Sequence, residues 1–231
     1  MAGESTRPFF ALTVVFGAGA IAFVVWFGGV IPNRTCTGPL PAGTSALLAF
    51  QLSRTAADIE AVFGPEGDPC RADMIAAMDR ANRVDLIGFI ATYNAFLALF
   101  FLAMLRAGSG NAARVGLAAV VATLLFDVLE TATQLHITSS LPGSGTSLLL
   151  LTIGSRGKFL SLGVACVAAG AAMIARGRAL GRVAGVGCAA GGAMIIVAIG
   201  YHPARPMLTA GSTVALPLIL LYAGAAAVRG R

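Results

Sequence analysis

Charge is scarce in this chain. Charged residues make up 11% of its 231 positions, and lysine occurs once, at Lys158. A soluble domain carries about a quarter charged residues, so most soluble enzymes are excluded, as is a disordered chain. There are two histidines, His136 and His202, each far in sequence from a second plausible ligand. A metal site or a bis-histidine haem is therefore not expected. Four cysteines with no C-x-x-C exclude a catalytic dithiol and a disulfide-dense mini-protein. Aromatic residues are 7%, and no basic cluster is longer than Arg176, Arg178 and Arg182. The net charge of +6 thus does not describe a nucleic-acid surface. G-x-S-x-G, H-E-x-x-H and P-loop signatures are absent, as is a G-x-G-x-x-G after a strand. Gly108-x-Gly110 reads as a turn, no 20–50-residue repeat is evident, and no cofactor is expected.

What the chain has is apolar residues, 57% of the total, with a mean hydropathy of +0.85. About 20 apolar residues cross a hydrocarbon core of about 30 Å. Six stretches suffice: 9–31, 85–105, 115–137, 147–175, 183–201 and 208–228. The first is too long for a signal-peptide core and reads as a retained span. The expected fold class is an all-α polytopic membrane protein, a six-helix bundle forming one domain over 1–231 with an extracytoplasmic subdomain at 33–84.

Sidedness follows from arginine. With the N-terminus inside, the inner loops and tails hold Arg7, Arg106, Arg114, Arg176, Arg178, Arg182, Arg229 and Arg231 against Glu4. The outer loops 138–146 and 202–207 hold only Arg205. The positive-inside rule then puts both termini in the cytoplasm, and a bacterial inner membrane is the expected location. Segment 33–84 lies outside with a net charge of −1, too small to trust as an independent core. Cys36 and Cys70 are its two cysteines, and a disulfide between them is the natural pairing on an oxidising side. Thr55 with Asp58 three residues on is an N-cap signature for a helix that Gly64 stops. Residues 64–70 (GPEGDPC) carry turn chemistry, and 44–52 is ambiguous between helix and strand. From Arg71, apolar Met74, Ala77, Met78, Ala81 and Val84 recur at helical spacing. This helix is expected to enter the second span without a break and to lie at the outer membrane surface as a lid or collar.

Ionisable side chains inside spans cost about 2.5–3.5 kcal/mol each at mid-membrane, so each calls for a reason. Asp127, Glu130, Thr131 and Gln134 fall on one helix face by i, i+3, i+4 and i+7 spacing. Asp85 and Tyr93 share a face of the second span with Thr92, while Asn94 points elsewhere. Ser155, Arg156, Lys158 and Ser161 mark the outer end of the fourth. Counting about 1.5 Å per residue from the inner arginines puts these groups in the outer third of the bilayer. Asp85, Tyr93, Asp127, Glu130, Gln134 and Lys158 are the candidate lining of one polar pocket there. The competing reading is that Lys158 merely neutralises Asp127 or Glu130 as structural glue. The glycine run in the fifth span, with G-x-x-x-G at 187–191, suits ordinary bundle packing, and Pro217 is expected to kink the sixth.

Asp85 with Tyr93, then Asp127-x-x-Glu130-Thr131, then Lys158-Phe159 resembles a family of small bacterial multi-span membrane proteins without assigned activity. In that family a D-x-x-F…Y stretch, a D-x-x-E-N stretch and a K-[FW] pair recur in this order, over what here is 45–175. Thr131 stands where the family has Asn. The resemblance implies that these residues act together and supplies no activity. In layout the chain is also similar to sterol-isomerase-like four-span proteins, whose acidic residues face a lipidic pocket, a likeness of analogy only.

Three functions are expected from these residues. In the first, the outer-leaflet pocket binds or processes an amphipathic lipid-like ligand. Were it an enzyme, Asp127 or Glu130 would serve as acid or base, with Lys158 and Tyr93 polarising or orienting. The second is an accessory or scaffolding subunit of a larger membrane complex. The third is a proton-coupled carrier, disfavoured by the lack of inverted repeats.

Overall fold

The computed structural model describes residues 6–40, 44–200 and 206–229. Glu4, His202, Arg205 and Arg231 lie outside the described residues. Six helices are long and apolar enough to cross a membrane. They are α1 (Arg7–Val30), the continuous helix Arg71–Arg106, α6 (Gly110–Thr138), α7 (Gly145–Ala175), α8 (Ala179–Gly200) and α9 (Pro206–Arg229). The chain is thus an all-α multi-pass membrane protein. It divides into two compact units. One comprises Ile21–Ala91 and Leu124–Lys158, here the carboxylate unit. The other comprises Met1–Ala20, Thr92–Thr123 and Phe159–Arg231, here the glycine unit.

In the carboxylate unit, Arg34–Thr35 and Gly38–Pro39 form a two-stranded antiparallel ribbon, β1 and β2. Two short helices follow, α2 (Ala46–Gln51) and α3 (Ala56–Phe63). The ambiguous 44–52 stretch is helical because Ser45 caps it, its hydroxyl accepting from Leu48 N at 3.1 Å. Thr55 and Asp58 form a capping box on α3. Gly64 ends α3 at φ +76°, a left-handed backbone suited to glycine. Cys36 and Cys70 are disulfide-bonded, and Cys36 N donates to Val62 O at 3.0 Å.

The buried centre of this insertion is Phe50 edge-on to Phe63 at 4.9 Å, with Ile59, Met74 and Met78 around them. Each such side chain contributes about 1.5–3 kcal/mol when fully buried. The same apolar cluster includes Ile31 after α1, Ile137 of α6, and Leu148 and Leu151 of α7. Segment 33–84 therefore has no core of its own; it shares one with the helix ends.

Helix α4 (Arg71–Val84) buries Met74, Met78 and Ala81 in this cluster. It passes through a π-helical turn, Asp85–Phe89, into α5 (Ile90–Arg106), giving 36 unbroken residues. At about 1.5 Å per residue that is about 54 Å, well beyond a bilayer core. As expected from the sequence, α4 enters the second span without a break, and its apolar stripe packs on the insertion's core. In the π turn, a Cβ on Gly88 would meet the Phe23 ring at 2.7 Å, so glycine permits the approach of α1. Phe89 is edge-on to Phe23 and Phe27, at 6.0 and 5.4 Å.

In the glycine unit, small residues set helix spacing. A Cβ on Gly192 of α8 would meet Gly163 O of α7 at 2.6 Å, and Gly185 meets Gly170 O at 2.7 Å. These pairs lie seven residues apart on both helices, in one antiparallel register. On another side of α8, Gly191 faces Gly211 O of α9 at 2.7 Å and Gly187 meets Leu218. The G-x-x-x-G is thus internal packing between α8 and α9. Helix α9 runs unbroken through Pro217. Cys166 and Cys188 are buried free thiols, and Cys188 Sγ donates to Cys166 O at 3.2 Å.

Candidate functional site

The polar face of α6 lies wholly within the carboxylate unit, where α4 and α7 supply its partners. Asp127 is 3% exposed, Glu130 0%, Thr131 1% and Gln134 0%. Their i, i+3, i+4, i+7 spacing puts them in one row, and Thr138 extends it one turn further. The spacing accounts for the row; its burial comes from the neighbours.

Lys158 of α7, 7% exposed, reaches this row. Its Nζ lies 3.2 Å from Asp127 Oδ1 and forms a closer ion pair with Glu130 Oε2. Two glycines make this geometry feasible. A Cβ on Gly154 would come within 2.9 Å of the Glu130 backbone, and one on Gly157 would strike the Phe126 ring. Any larger residue at either position would push α7 away from α6, and the lysine one turn on from Gly154 would lose its reach. Arg156, beside Lys158, forms no ion pair with a described residue. Among the described residues, Lys158 is therefore the one cation paired with these carboxylates.

Helix α4 and its π turn close the other side. Thr131 Oγ1 donates to Asp85 Oδ2 at 2.8 Å, and Thr138 Oγ1 donates to Asp79 Oδ1 at 2.6 Å. These two bonds define an antiparallel register in which Asn82 falls level with Gln134. Both amides are buried, Asn82 at 1% and Gln134 at 0% exposure. Asn82 Nδ2, both amide atoms of Gln134 and Glu130 Oε1 have no hydrogen-bond partner among the described residues. Buried polar groups are bonded in the great majority of cases, so several such atoms along this one pair of helices call for an explanation.

Of the six candidate residues, Asp85, Asp127, Glu130, Gln134 and Lys158 belong to the carboxylate unit. Tyr93 belongs to the glycine unit and is buried there at 6% exposure. Asp85 and Phe89 stand four apart, one more than the D-x-x-F spacing of the family resemblance. Sequence reasoning missed Asn82, Asp79 and the two glycines. The signal for the first two was their placement three and six residues before Asp85. For the glycines it was G-x-x-G-K, residues 154–158. His136 and the groups nearest it form no candidate metal cluster among the described residues. The one such cluster found, Cys36, Asp68 and Cys70, has both sulfurs committed to the disulfide.

The centre holds three carboxylates and one ammonium. If all are ionised it carries two excess negative charges, with Asp127, Glu130 and Lys158 buried and Asp85 half-buried, an arrangement that burial disfavours. Protons or a bound cationic or hydrogen-bonding group would balance it. No family model, curated protein or solved structure matches this chain.

Proposed function

We propose that this chain is a bacterial inner-membrane protein, with cytoplasmic termini, whose buried carboxylate–lysine centre binds the polar head of an amphipathic lipid-like ligand. The arginine distribution supports the orientation. The observation that carries the ligand reading is Gln134. It is wholly buried and bears two polar atoms without partners among the described residues; the helix register puts Asn82, whose amide nitrogen is also unpartnered, at its level, and Glu130 stands one turn away on its own helix. A residue kept for packing alone would be apolar here, since a lone buried amide is destabilising by about 1–3 kcal/mol. The excess of carboxylates over cations favours a head group that donates hydrogen bonds or carries positive charge.

The test separates ligand binding from packing by using Gln134→Leu. Removing a buried amide that has no partner leaves stability unchanged or raises it. The expected result is a lipid species enriched in solvent extracts of the wild-type protein purified in mild detergent, and absent from the Gln134→Leu extract. An identical lipid profile in both, or a destabilised Gln134→Leu, counts against the proposal.

A second reading has its own observation. Lys158 contacts both Asp127 and Glu130, which is what interhelical glue would do. On that reading the protein is an accessory subunit whose charges only set helix register, and the extracts of wild type and variant would match.

A further inference from the structure

The glycine unit contains a polar feature of its own. A groove is lined by Arg176, Arg178 and Arg229, with Tyr222, Phe10 and Leu180 completing its wall. It draws on distant parts of the chain. Phe10 comes from the first turn of α1, Arg176 and Arg178 from the link between α7 and α8, and Tyr222 and Arg229 from the last turns of α9. Its apolar floor is ordered: Phe10 is 2% exposed and stands edge-on to Tyr222 at 6.2 Å.

Three guanidinium groups sharing one groove, two of them exposed and one half-buried, form a concentration of positive charge that an anion would neutralise. The neighbouring chain offers little. Arg176 Nη1 donates to Ala107 O, whereas Arg178 and Arg229 have no hydrogen bond or ion pair with a described residue. No acidic residue is present in the glycine unit beyond Glu4, which precedes α1. Helix C-termini at Ala175 and Arg229 supply only about half a negative charge each. Other arginines of the unit are engaged elsewhere: Arg106 stacks over the Phe9 ring at 4.0 Å, and Arg182 Nε donates to Gly177 O at 3.2 Å.

We infer that this groove binds the phosphate of an anionic phospholipid head group. Guanidinium forks match phosphate oxygens in charge and geometry. The groove opens at the ends of apolar spans, where head groups lie, and its Phe10 and Leu180 wall suits the glycerol and first methylenes. A soluble phosphate would use the arginines and have no need of that wall.

The full chain in a neutral maltoside micelle, with phosphatidylglycerol or phosphatidylcholine added, tests this by native mass spectrometry. Phosphatidylglycerol should be retained in preference to phosphatidylcholine. Arg178→Ala with Arg229→Ala should weaken that retention about tenfold or more, the size expected for lost charge-assisted bonds. Arg114→Ala, an exposed arginine outside the groove, should leave it unchanged. Should the alanine pair fail to fold, Arg178→Gln with Arg229→Gln makes the same comparison. Equal retention of the two lipids, or undiminished retention by the paired variant, overturns the inference. Displacement of phosphatidylglycerol by millimolar inorganic phosphate overturns the assignment to lipid.

Discussion

The two units divide the chain's chemistry unevenly. The carboxylate unit holds nine of the ten acidic residues and the only lysine; the glycine unit holds nine of the fifteen arginines and, apart from Glu4, no acid. Their cohesion differs accordingly. In the carboxylate unit, helices are joined by side chains that bond across them: Lys158 to Asp127 and Glu130, Thr131 to Asp85, Thr138 to Asp79. In the glycine unit, helices are joined by the removal of side chains, with glycine pairs such as Gly163–Gly192 bringing backbones together. Lipid gives no hydrophobic drive for helix association, so close packing and interhelical polar bonds are the two means available. Each unit relies mainly on one. The polar means leaves groups that can also bind something, which is why the candidate site lies where it does.

The largest expected effect comes from breaking that polar contact. Lys158→Met leaves Asp127 and Glu130 buried without their cation and should cost about 3–5 kcal/mol. Thermal unfolding in detergent will show it. Adding Asp127→Asn and Glu130→Gln to the same chain should restore most of the loss, since the uncompensated charge is then gone. A triple variant as unstable as the single one would mean that Lys158 acts through packing.

Removing the disulfide by Cys36→Ser with Cys70→Ser opens a loop closed across 34 residues and should cost about 2–4 kcal/mol. Hydrogen exchange should rise first in the carboxylate unit, where Phe50, Phe63 and Met78 share the cluster, and least in α8 and α9. Uniform loosening of the chain would show that the units unfold together.

A matched pair of glycine changes sharpens the comparison. Gly154→Ala and Gly170→Ala both overpack a helix contact, at about 1–3 kcal/mol each. Only Gly154→Ala also moves Lys158 from its partners. It should therefore be the worse of the two, and the difference should vanish when both are made in a chain already carrying Lys158→Met, Asp127→Asn and Glu130→Gln. The smallest effect is expected for Thr131→Val, which removes one hydrogen bond to Asp85, about 1 kcal/mol. Thr123→Val, which removes the 2.9 Å bond to Ser161 in the glycine unit, is its counterpart and should be of similar size.

Much of this is legible in the sequence. Asp127, Glu130, Thr131 and Gln134 recur at a helical period, and that period alone puts them in one row. The six apolar lengths imply six candidate spans, and Thr55 with Asp58 is a local cap signature. Other parts were not legible. Asn82 reads as one more polar residue on an amphipathic helix until the register with Gln134 is known. Gly154 and Gly157 look like the many other glycines of the chain. Their role depends on Glu130 and Phe126, residues more than twenty positions away.

Composition and periodicity, acting within single helices, were enough to determine an all-α membrane chain, its six candidate spans and the polar face of α6. Those properties depend on residues a few positions apart. Only the tertiary structure decided that Lys158 contacts both carboxylates, that Asp85 bonds Thr131 and that Gln134 is left without a partner. It also decided that two arginines of the α7–α8 link and one from the end of α9 share one groove. Such pairings depend on how helices cross and at what register, and the period of one helix carries no information about the phase of its neighbour.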